Sequence, residues 1–303
     1  MQTLYVTKTY STTLLIVFCT LNIFAAILSF SGNALVFLTV ASFSELHITS
    51  NVGLASLALA NFFAGLTTHG LSAANSVQTL QDGCPPLSGL TRLFAIFLAK
   101  ASVYSSLLNL GLVTLERYIG VIYSIRYHLF LPERRMVKLI AAVWITSLLL
   151  SIPNLAVNAA ELSRNIMTVV FSLTLALTFY CNLRIFRASR RQRRQVMAQA
   201  EAIRQIVDAN QQRFRGARTM FLILVTLLVC FGPALVVRFL LNASSEATKP
   251  TILTLARPWA AAFFGLYSCV SPFVYFFRSQ ELRRYSKKLL RRGLSLLTFD
   301  CYS

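Results

Sequence analysis

The chain of 303 residues is 56% hydrophobic and only 13% charged, with a mean hydropathy of +0.62. Soluble globular domains are about a quarter charged, so this composition excludes that class. The net charge of +19 does not indicate a nucleic-acid-binding protein, because the basic residues lie in the connections between apolar runs.

Seven apolar runs account for the excess of hydrophobic residues, and each is near the length of about 20 residues that a membrane helix needs. They lie at 12–40, 51–75, 90–122, 137–157, 165–187, 217–241 and 252–277. Helices are favoured because a bilayer offers no water to unpaired backbone groups, and the strands of a closed barrel would be shorter and alternating. The sequence therefore predicts an all-α seven-transmembrane helix bundle that forms a single domain over 1–303.

The basic residues predict the orientation of this bundle. Arg and Lys concentrate in the connections after the third and fifth segments and in the tail after the seventh. Because positive loops stay in the cytoplasm, we expect the N-terminus outside and the C-terminus inside the plasma membrane. The tail 278–292 mixes basic residues with Leu282, Leu289 and Leu290, which predicts a short amphipathic helix on the inner leaflet.

The first three segments carry recognisable motifs. In chain order these are Gly32-Asn33, then Leu57-Ala58-Leu59-Ala60-Asn61, then Glu116-Arg117-Tyr118 at the end of segment three. An Arg in the middle of a bilayer costs roughly 2.5–3.5 kcal/mol. The carboxylate–guanidinium pair Glu116–Arg117 is therefore expected at the inner interface, where it either faces water or has a function.

The remaining segments continue the pattern with one motif each. They contain Trp144 and Pro153 in segment four, Tyr180 in segment five, Cys230-Phe231-Gly232-Pro233 in segment six and Ser271-Pro272-Phe273-Val274-Tyr275 in segment seven. A proline inside a helix removes a backbone hydrogen bond and can kink the helix. Pro233 and Pro272 are thus candidate hinges about which the inner halves of their helices swing.

Seven motifs in this order, one for each segment, resemble the rhodopsin-like (class A) G-protein-coupled receptors over nearly the whole chain. The resemblance implies a heterotrimeric G protein as the cytoplasmic partner, an extracellular ligand of unknown identity, the lipid bilayer as the surroundings, no cofactor and no enzymatic activity. It also implies an activation switch formed by Glu116, Arg117, Tyr118, Tyr180, Phe231, Pro233, Pro272 and Tyr275.

Two departures from the family pattern concern the resting state. The family's inward ion site corresponds to Asn61, Ser106 and Ser271, which carry no formal charge, so we expect little or no sodium modulation. Many members also pair the switch Arg with a Glu at the start of segment six, where this chain has Arg213. Like charges repel, which predicts raised basal activity.

A third departure concerns the ligand. The very short second outer loop and the missing disulfide, with Arg92 at the usual segment-three position, resemble the melanocortin branch, and the adenosine branch is the alternative. The acids that melanocortin receptors use and the contacts of adenosine receptors are both absent. The outer halves offer cations instead, namely Arg92, Lys100, Arg238 and Arg257. They suggest a small anionic ligand, and the alternative is that they extend toward the outer headgroups.

Two other classes remain open at this point. A seven-helix transporter would require paired intramembrane acids or an internal repeat, and the sequence shows neither. A receptor-like protein that no longer couples to a G protein would explain why so many motif positions are altered. An enzyme is not indicated, because there is no acid–base pair, nucleophile motif or metal cluster.

Overall fold

The structure is a computed structural model that describes residues 2–80, 89–156, 159–199, 225–226, 228–233, 235–237, 239–240, 243, 263, 266–276 and 279–299. Within these ranges the regular structure is entirely helical. The long helices are α1 (Gln2–Ser42), α2 (Thr49–Ala64), α3 (Gly70–Leu80), α4 (Gly89–Ile122), α6 (Glu133–Ser151) and α7 (Ala160–Gln199). A short α5 (Tyr127–Phe130) lies in the second inner connection, and α8 (Gln280–Phe299) ends the described chain.

Among the described residues, five stretches are long and apolar enough to cross a membrane. They are Ile16–Ser42, Thr49–Ala74, Gly89–Ile122, Glu133–Leu155 and Glu161–Arg191. Shorter apolar helices at Leu228–Val237 and Leu266–Phe276 fall in the sixth and seventh predicted segments. Each predicted segment therefore contains helix, and the fifth extends well past its predicted end at 187 because α7 continues to Gln199.

The second segment contains a wide turn that hydropathy did not reveal. Residues Gly65–His69 form a π-helical turn between α2 and α3, and such turns are frequent at functional sites. The connection between α6 and α7 is short, since the 3₁₀ turn Ile152–Leu155 is followed by α7 from Ala160. This agrees with the very short second outer loop expected from the sequence.

Polar side chains join the helices inside the bundle. Trp144 Nε1 on α6 donates to Ser56 Oγ on α2 at 3.1 Å, and Ser56 Oγ donates to Asn109 Oδ1 on α4 at 2.7 Å. Tyr104, which is fully buried on α4, donates to the carbonyl of Ser163 on α7 at 3.4 Å. Because lipid gives no hydrophobic drive for helix association, such bonds and close packing hold a membrane bundle together.

The terminal helix α8 packs on the inner end of α1. Ser279 Oγ accepts from the backbone N–H of Leu282 at 3.0 Å and so caps its first turn. Leu282 is buried in the core, while the cations of Lys288 and Arg292 lie 5.5 and 5.3 Å from the ring centre of Phe43. The predicted surface helix thus exists as a helix, and it is anchored by apolar and cation–π contacts.

Close approach of α1 to the second segment depends on a residue without a side chain. A Cβ added at Gly65 would lie 2.2 Å from Ser29 Oγ and 2.5 Å from Ser29 Cβ. A Cβ at Gly70, five residues further on, would have no neighbour within 4 Å. Small residues at such crossings let two membrane helices approach closely.

We expect Gly65→Ala to lower the melting temperature of the purified protein, with a loss of roughly 1–3 kcal/mol from overpacking. Gly70→Ala is the matched control, since it adds the same methyl group in open space and should leave the melting temperature unchanged or slightly raised. Equal melting of the two variants in a thiol-reactive dye assay would contradict the close approach of α1 at Gly65.

Candidate functional site

The Glu116–Arg117 pair closes the inner end of α4, and most of it is removed from solvent. Arg117 Nε lies 3.2 Å from Glu116 Oε2, and the two side chains are 17% and 4% exposed. A buried carboxylate requires compensation by an opposite charge and by hydrogen bonds. The Arg117 guanidinium supplies the charge, so breaking the pair leaves an ion uncompensated.

Tyr127 supplies the second half of that compensation. Its hydroxyl, on α5, donates to Glu116 Oε1 at 2.8 Å. Its ring packs beside Gly120, where an added Cβ would lie 3.5 Å from Tyr127 Cε2. The sequence alone gave no indication of the contact between Tyr127 and Glu116. The carboxylate is held from both sides, by the guanidinium and by the second inner connection.

The Tyr127 hydroxyl remains a donor across the physiological pH range. Burial raises the pKa of the phenol well above its ordinary value, and the neighbouring Glu116 carboxylate raises it further. A phenol whose pKa is higher in the folded protein keeps its contribution to stability below its unfolded pKa of about 10 and loses it only above that pH. The hydrogen bond to Glu116 therefore does not act as a pH switch near neutrality.

Tyr118 and Tyr180 meet on a different flank of the triplet. Their ring centres are 6.4 Å apart with a 41° tilt. Tyr180 is 51% exposed, and the guanidinium of Arg184 lies 5.9 Å from its ring centre. The structure thus places Tyr180 against Tyr118, with its ring half outside the bundle, whereas Tyr275 is buried in the core.

The three positions of the family's ion site come together as a neutral network. Asn61 Nδ2 donates to Ser271 Oγ at 2.8 Å, and Ser106 Oγ donates to Asn61 Oδ1. Asn33 extends the network from α1, since its Nδ2 donates to the carbonyl of Ser268 at 2.8 Å. All three predicted residues are buried. Their donors and acceptors satisfy one another, and no carboxylate is present among them.

Phe231 and Pro272 lie beside this network. Phe231 stacks on Phe171 of α7 with ring centres 4.7 Å apart, and it is tilted against Tyr267 at 5.6 Å. A cavity of about 20 Å³, room for about one water, separates this aromatic group from the network. It is lined by Ala64, Thr68, Val103, Ser106, Leu107, Phe231, Tyr267 and Ser268.

Pro272 lies in the helix Leu266–Phe276 and contacts α1. A Cβ added at Gly32 would come within 3.0 Å of Pro272 Cγ, so the glycine lets the proline ring pack directly on α1. Pro233 is half-buried at the end of a described helical stretch. The structure therefore places Pro272 against α1 and Phe231 against α7.

Comparison with known proteins decides the class. Residues 32–165 match the sequence model of the 7 transmembrane receptor (rhodopsin family). Melatonin receptor type 1A from Gallus gallus is 24% identical over 290 residues, which cover 89% of this chain and 79% of that protein. Both findings support a rhodopsin-like seven-transmembrane receptor. The predicted all-α seven-helix fold is confirmed, and the protein is a multi-pass membrane receptor rather than an enzyme.

The outer cations of the receptor fall into two groups. Arg92 is exposed at the outer end of α4, and Lys100 is half-buried eight residues further along, about 12 Å deeper at 1.5 Å per residue. Arg238 and Arg257 lie outside the described residues, as does Arg213. The described part of the receptor therefore places one cation at the rim and one within the span.

A buried polar group near the outer half escaped the sequence analysis. His69 is 2% exposed at the end of the π-helical turn, and its Nδ1 lies 3.0 Å from Asn22 Oδ1 on α1. Its Nε2 lies 3.9 Å from Cys269 Sγ, and that thiol donates to the carbonyl of Ala25 at 3.1 Å. The signal that could have revealed this group is the presence of His and Asn in two apolar segments, both expensive in lipid unless paired.

We expect the melting temperature of the wild-type receptor to be the same in sodium chloride and in choline chloride at equal concentration, because the ion-site positions are neutral. Asn61→Asp introduces a carboxylate and should make the melting temperature rise with the logarithm of sodium concentration. Asn61→Ala is the control, which should be destabilised equally in both salts. A sodium-dependent shift in the wild type would contradict the assignment.

Proposed function

We propose that the protein transduces the binding of an extracellular ligand into nucleotide exchange on a heterotrimeric G protein, with the N-terminus outside the plasma membrane and the C-terminus in the cytoplasm. The single observation that carries the proposal is the Glu116–Arg117 pair, buried at the inner end of α4 and held by Tyr127. Burial makes the pair costly to open, and such a site can store two discrete arrangements.

The direction of signalling follows from the position of this pair. Arg117 precedes the connection that contains α5, and basic residues lie in that connection, at the start of α6 and in the C-terminal half of α7. An outward movement of the inner half of helix six would expose Arg117 to a cytoplasmic protein, with Phe231, Pro233, Pro272 and Tyr275 as the parts that move. Family membership supports this coupling.

The resting state has one added and one missing restraint. Tyr127 holds the Glu116 carboxylate at 2.8 Å, while Arg213 stands where many members have an acid that pairs with the switch Arg. We infer that basal activity is raised by the missing restraint and limited by Tyr127. Both residues act on the same equilibrium between closed and open arrangements, so their effects can be compared in one assay.

We expect the wild-type receptor, reconstituted without ligand, to accelerate nucleotide exchange on at least one G protein of a panel. Arg213→Glu should lower this rate, because it restores an opposite charge for Arg117. Tyr127→Phe should raise it by about tenfold or more, since a hydrogen bond to a charged group is worth about 1.5–3 kcal/mol. Exchange at the background rate with every G protein, in the wild type and in both variants, would favour a receptor-like protein that no longer couples.

The ligand is proposed to be small and anionic, recognised by Lys100 with Arg92, Arg238 and Arg257 at the outer end. Lys100 supports this best, since a half-buried cation within a membrane helix is placed at a cost in free energy. The relative from Gallus gallus is named for melatonin, so melatonin serves as a comparison ligand from outside the anionic class.

We expect compounds with a carboxylate or phosphate group, and acidic lipids, to include an activator whose potency falls about tenfold in Lys100→Ala, because a charge-assisted hydrogen bond is lost. Lys100→Arg, which keeps the charge, should retain most of the response. The readout is ligand-stimulated nucleotide exchange. Unchanged potency of every activating compound, melatonin included, in Lys100→Ala would remove Lys100 from the ligand site.

A further inference from the structure

The face of α7 that turns into the bundle carries polar atoms without partners. Its buried residues repeat every three or four positions and are Phe171, Thr174, Thr178, Cys181, Asn182, Ile185 and Ser189. Thr178 is 0% exposed and Asn182 is 8% exposed. The hydroxyl of Thr178 and both amide atoms of Asn182 are buried and make no hydrogen bond. One turn of helix therefore presents three unsatisfied polar atoms to the interior.

Most buried side chains of the same types are satisfied in the described parts of the chain, and Thr68 beside the small cavity is a further exception. The buried Asn22, Asn33, Asn61 and Asn109 all make hydrogen bonds. Thr174, one turn before Thr178 on the same face, donates to the carbonyl of Val170 at 2.8 Å. Thr178 makes no such bond to its own helix. Thr178 and Asn182 are thus exceptions to the rule that buried polar groups are paired, and each such exception requires an explanation.

The position of Thr178 and Asn182 beside the activation switch explains why these polar atoms are left unpaired. The Tyr118 and Tyr180 rings, 6.4 Å apart, set the inner part of α7 next to the triplet on α4. Tyr180 itself is half exposed. At this level the buried positions of α7 are Thr178, Cys181 and Asn182, of which Thr178 and Asn182 carry the oxygens.

Resting on the proposed coupling, we propose that Thr178 and Asn182 form the acceptor pair that receives the Arg117 guanidinium when it leaves Glu116. A guanidinium has five N–H donors and no acceptor, so it requires oxygens in its new position. The Thr178 hydroxyl oxygen and Asn182 Oδ1 are two such oxygens, unoccupied in the described arrangement. The Asn182 amide N–H groups then donate to water that the opening admits.

This arrangement biases the switch without touching a ligand or a G protein. In the closed arrangement the pair is unsatisfied and raises the free energy of the receptor, and in the open arrangement charge-assisted hydrogen bonds lower it. Both effects favour release of Arg117. Thr178 and Asn182 are positioning residues, because they act through the arginine.

The decisive measurement is the shift in melting temperature that Asn182→Leu causes, which should have opposite signs in the wild type and in the Glu116→Gln variant. In the wild type, Asn182→Leu removes unsatisfied buried atoms and should raise the melting temperature by about 2 °C or more. In Glu116→Gln, where Arg117 has lost its charged partner and turns to α7, the same Asn182→Leu should lower it. Thr178→Val should shift the melting temperature in the same direction as Asn182→Leu in each of the two proteins, by a smaller amount.

Two controls separate this result from an ordinary packing effect. Asn109→Leu removes an asparagine that is already paired and should lower the melting temperature in both backgrounds. Thr174→Val removes a hydroxyl that bonds only its own helix and should behave alike in both. A loss of stability on Asn182→Leu in the wild type, or the same sign in both backgrounds, would overturn the proposal.

Nucleotide exchange provides the functional arm. Glu116→Gln should raise ligand-free exchange, and adding Asn182→Leu should lower it again by about tenfold, the value of one hydrogen bond to a charged group. Adding Thr174→Val should not. If Glu116→Gln drives no exchange on any G protein, the coupling proposal fails, while the sign of the melting shift still decides the role of Thr178 and Asn182.

Discussion

The burial of the Glu116–Arg117 ion pair determines which other groups must be present at this end of the bundle. Glu116 is almost completely enclosed, so its charge has to be met by groups within reach, and Arg117 and Tyr127 meet it from two sides. Neither contact is replaceable by water while the bundle is closed, because leaving an ion unpaired in a low-dielectric interior is more costly than losing the pair altogether. Movement of Arg117 thus requires that another polar surface be ready to accept it.

Deeper in the bundle, neutral groups around Asn61 link the described helices. Asn33, Asn61, Ser106 and Ser271 link the first, second, third and seventh segments through amide and hydroxyl hydrogen bonds. A neutral network is satisfied by its own members and needs no counterion. An acid at position 61 would demand a cation, whereas the amide found there both donates and accepts. The Asn61 amide therefore has two effects: it leaves no carboxylate to bind a cation, and its hydrogen bonds make the network rigid.

The sequence was sufficient for the number of spans, the location of the triplet and the neutrality of the ion-site positions, because length, hydropathy and residue identity settle those features. The sequence did not show which side chains point into the bundle and which point toward lipid. In a soluble helix the apolar stripe marks the core, but a membrane helix is apolar toward lipid as well. Tyr180 could for that reason not be assigned to the inside or the flank. Gly65 and Ser29 likewise gave no sign that their helices touch.

The sequence also did not predict contacts between a membrane-spanning helix and a connecting loop. Tyr127 is eleven residues after Glu116, and only the fold of the second inner connection, with its 3₁₀ turn Ser124–Arg126 and α5, returns its hydroxyl to the carboxylate. The π-helical turn Gly65–His69 has a similar effect in the second segment, since an extra residue per turn changes which side chains face inward beyond it. Local irregularities of this kind have no hydropathy signature.

The polar network around Asn61 and the end of the bundle at Arg117 differ in how many of their buried polar atoms are paired. The network around Asn61 has its donors and acceptors paired, and opening the bundle there would only lose bonds. Around Thr178 and Asn182 the reverse holds, since those atoms have bonds to gain. A helix that is firmly bonded in the middle and unsatisfied at one end is expected to move at that end. The distribution of hydrogen bonds thus favours motion at the end of the bundle where Arg117 lies.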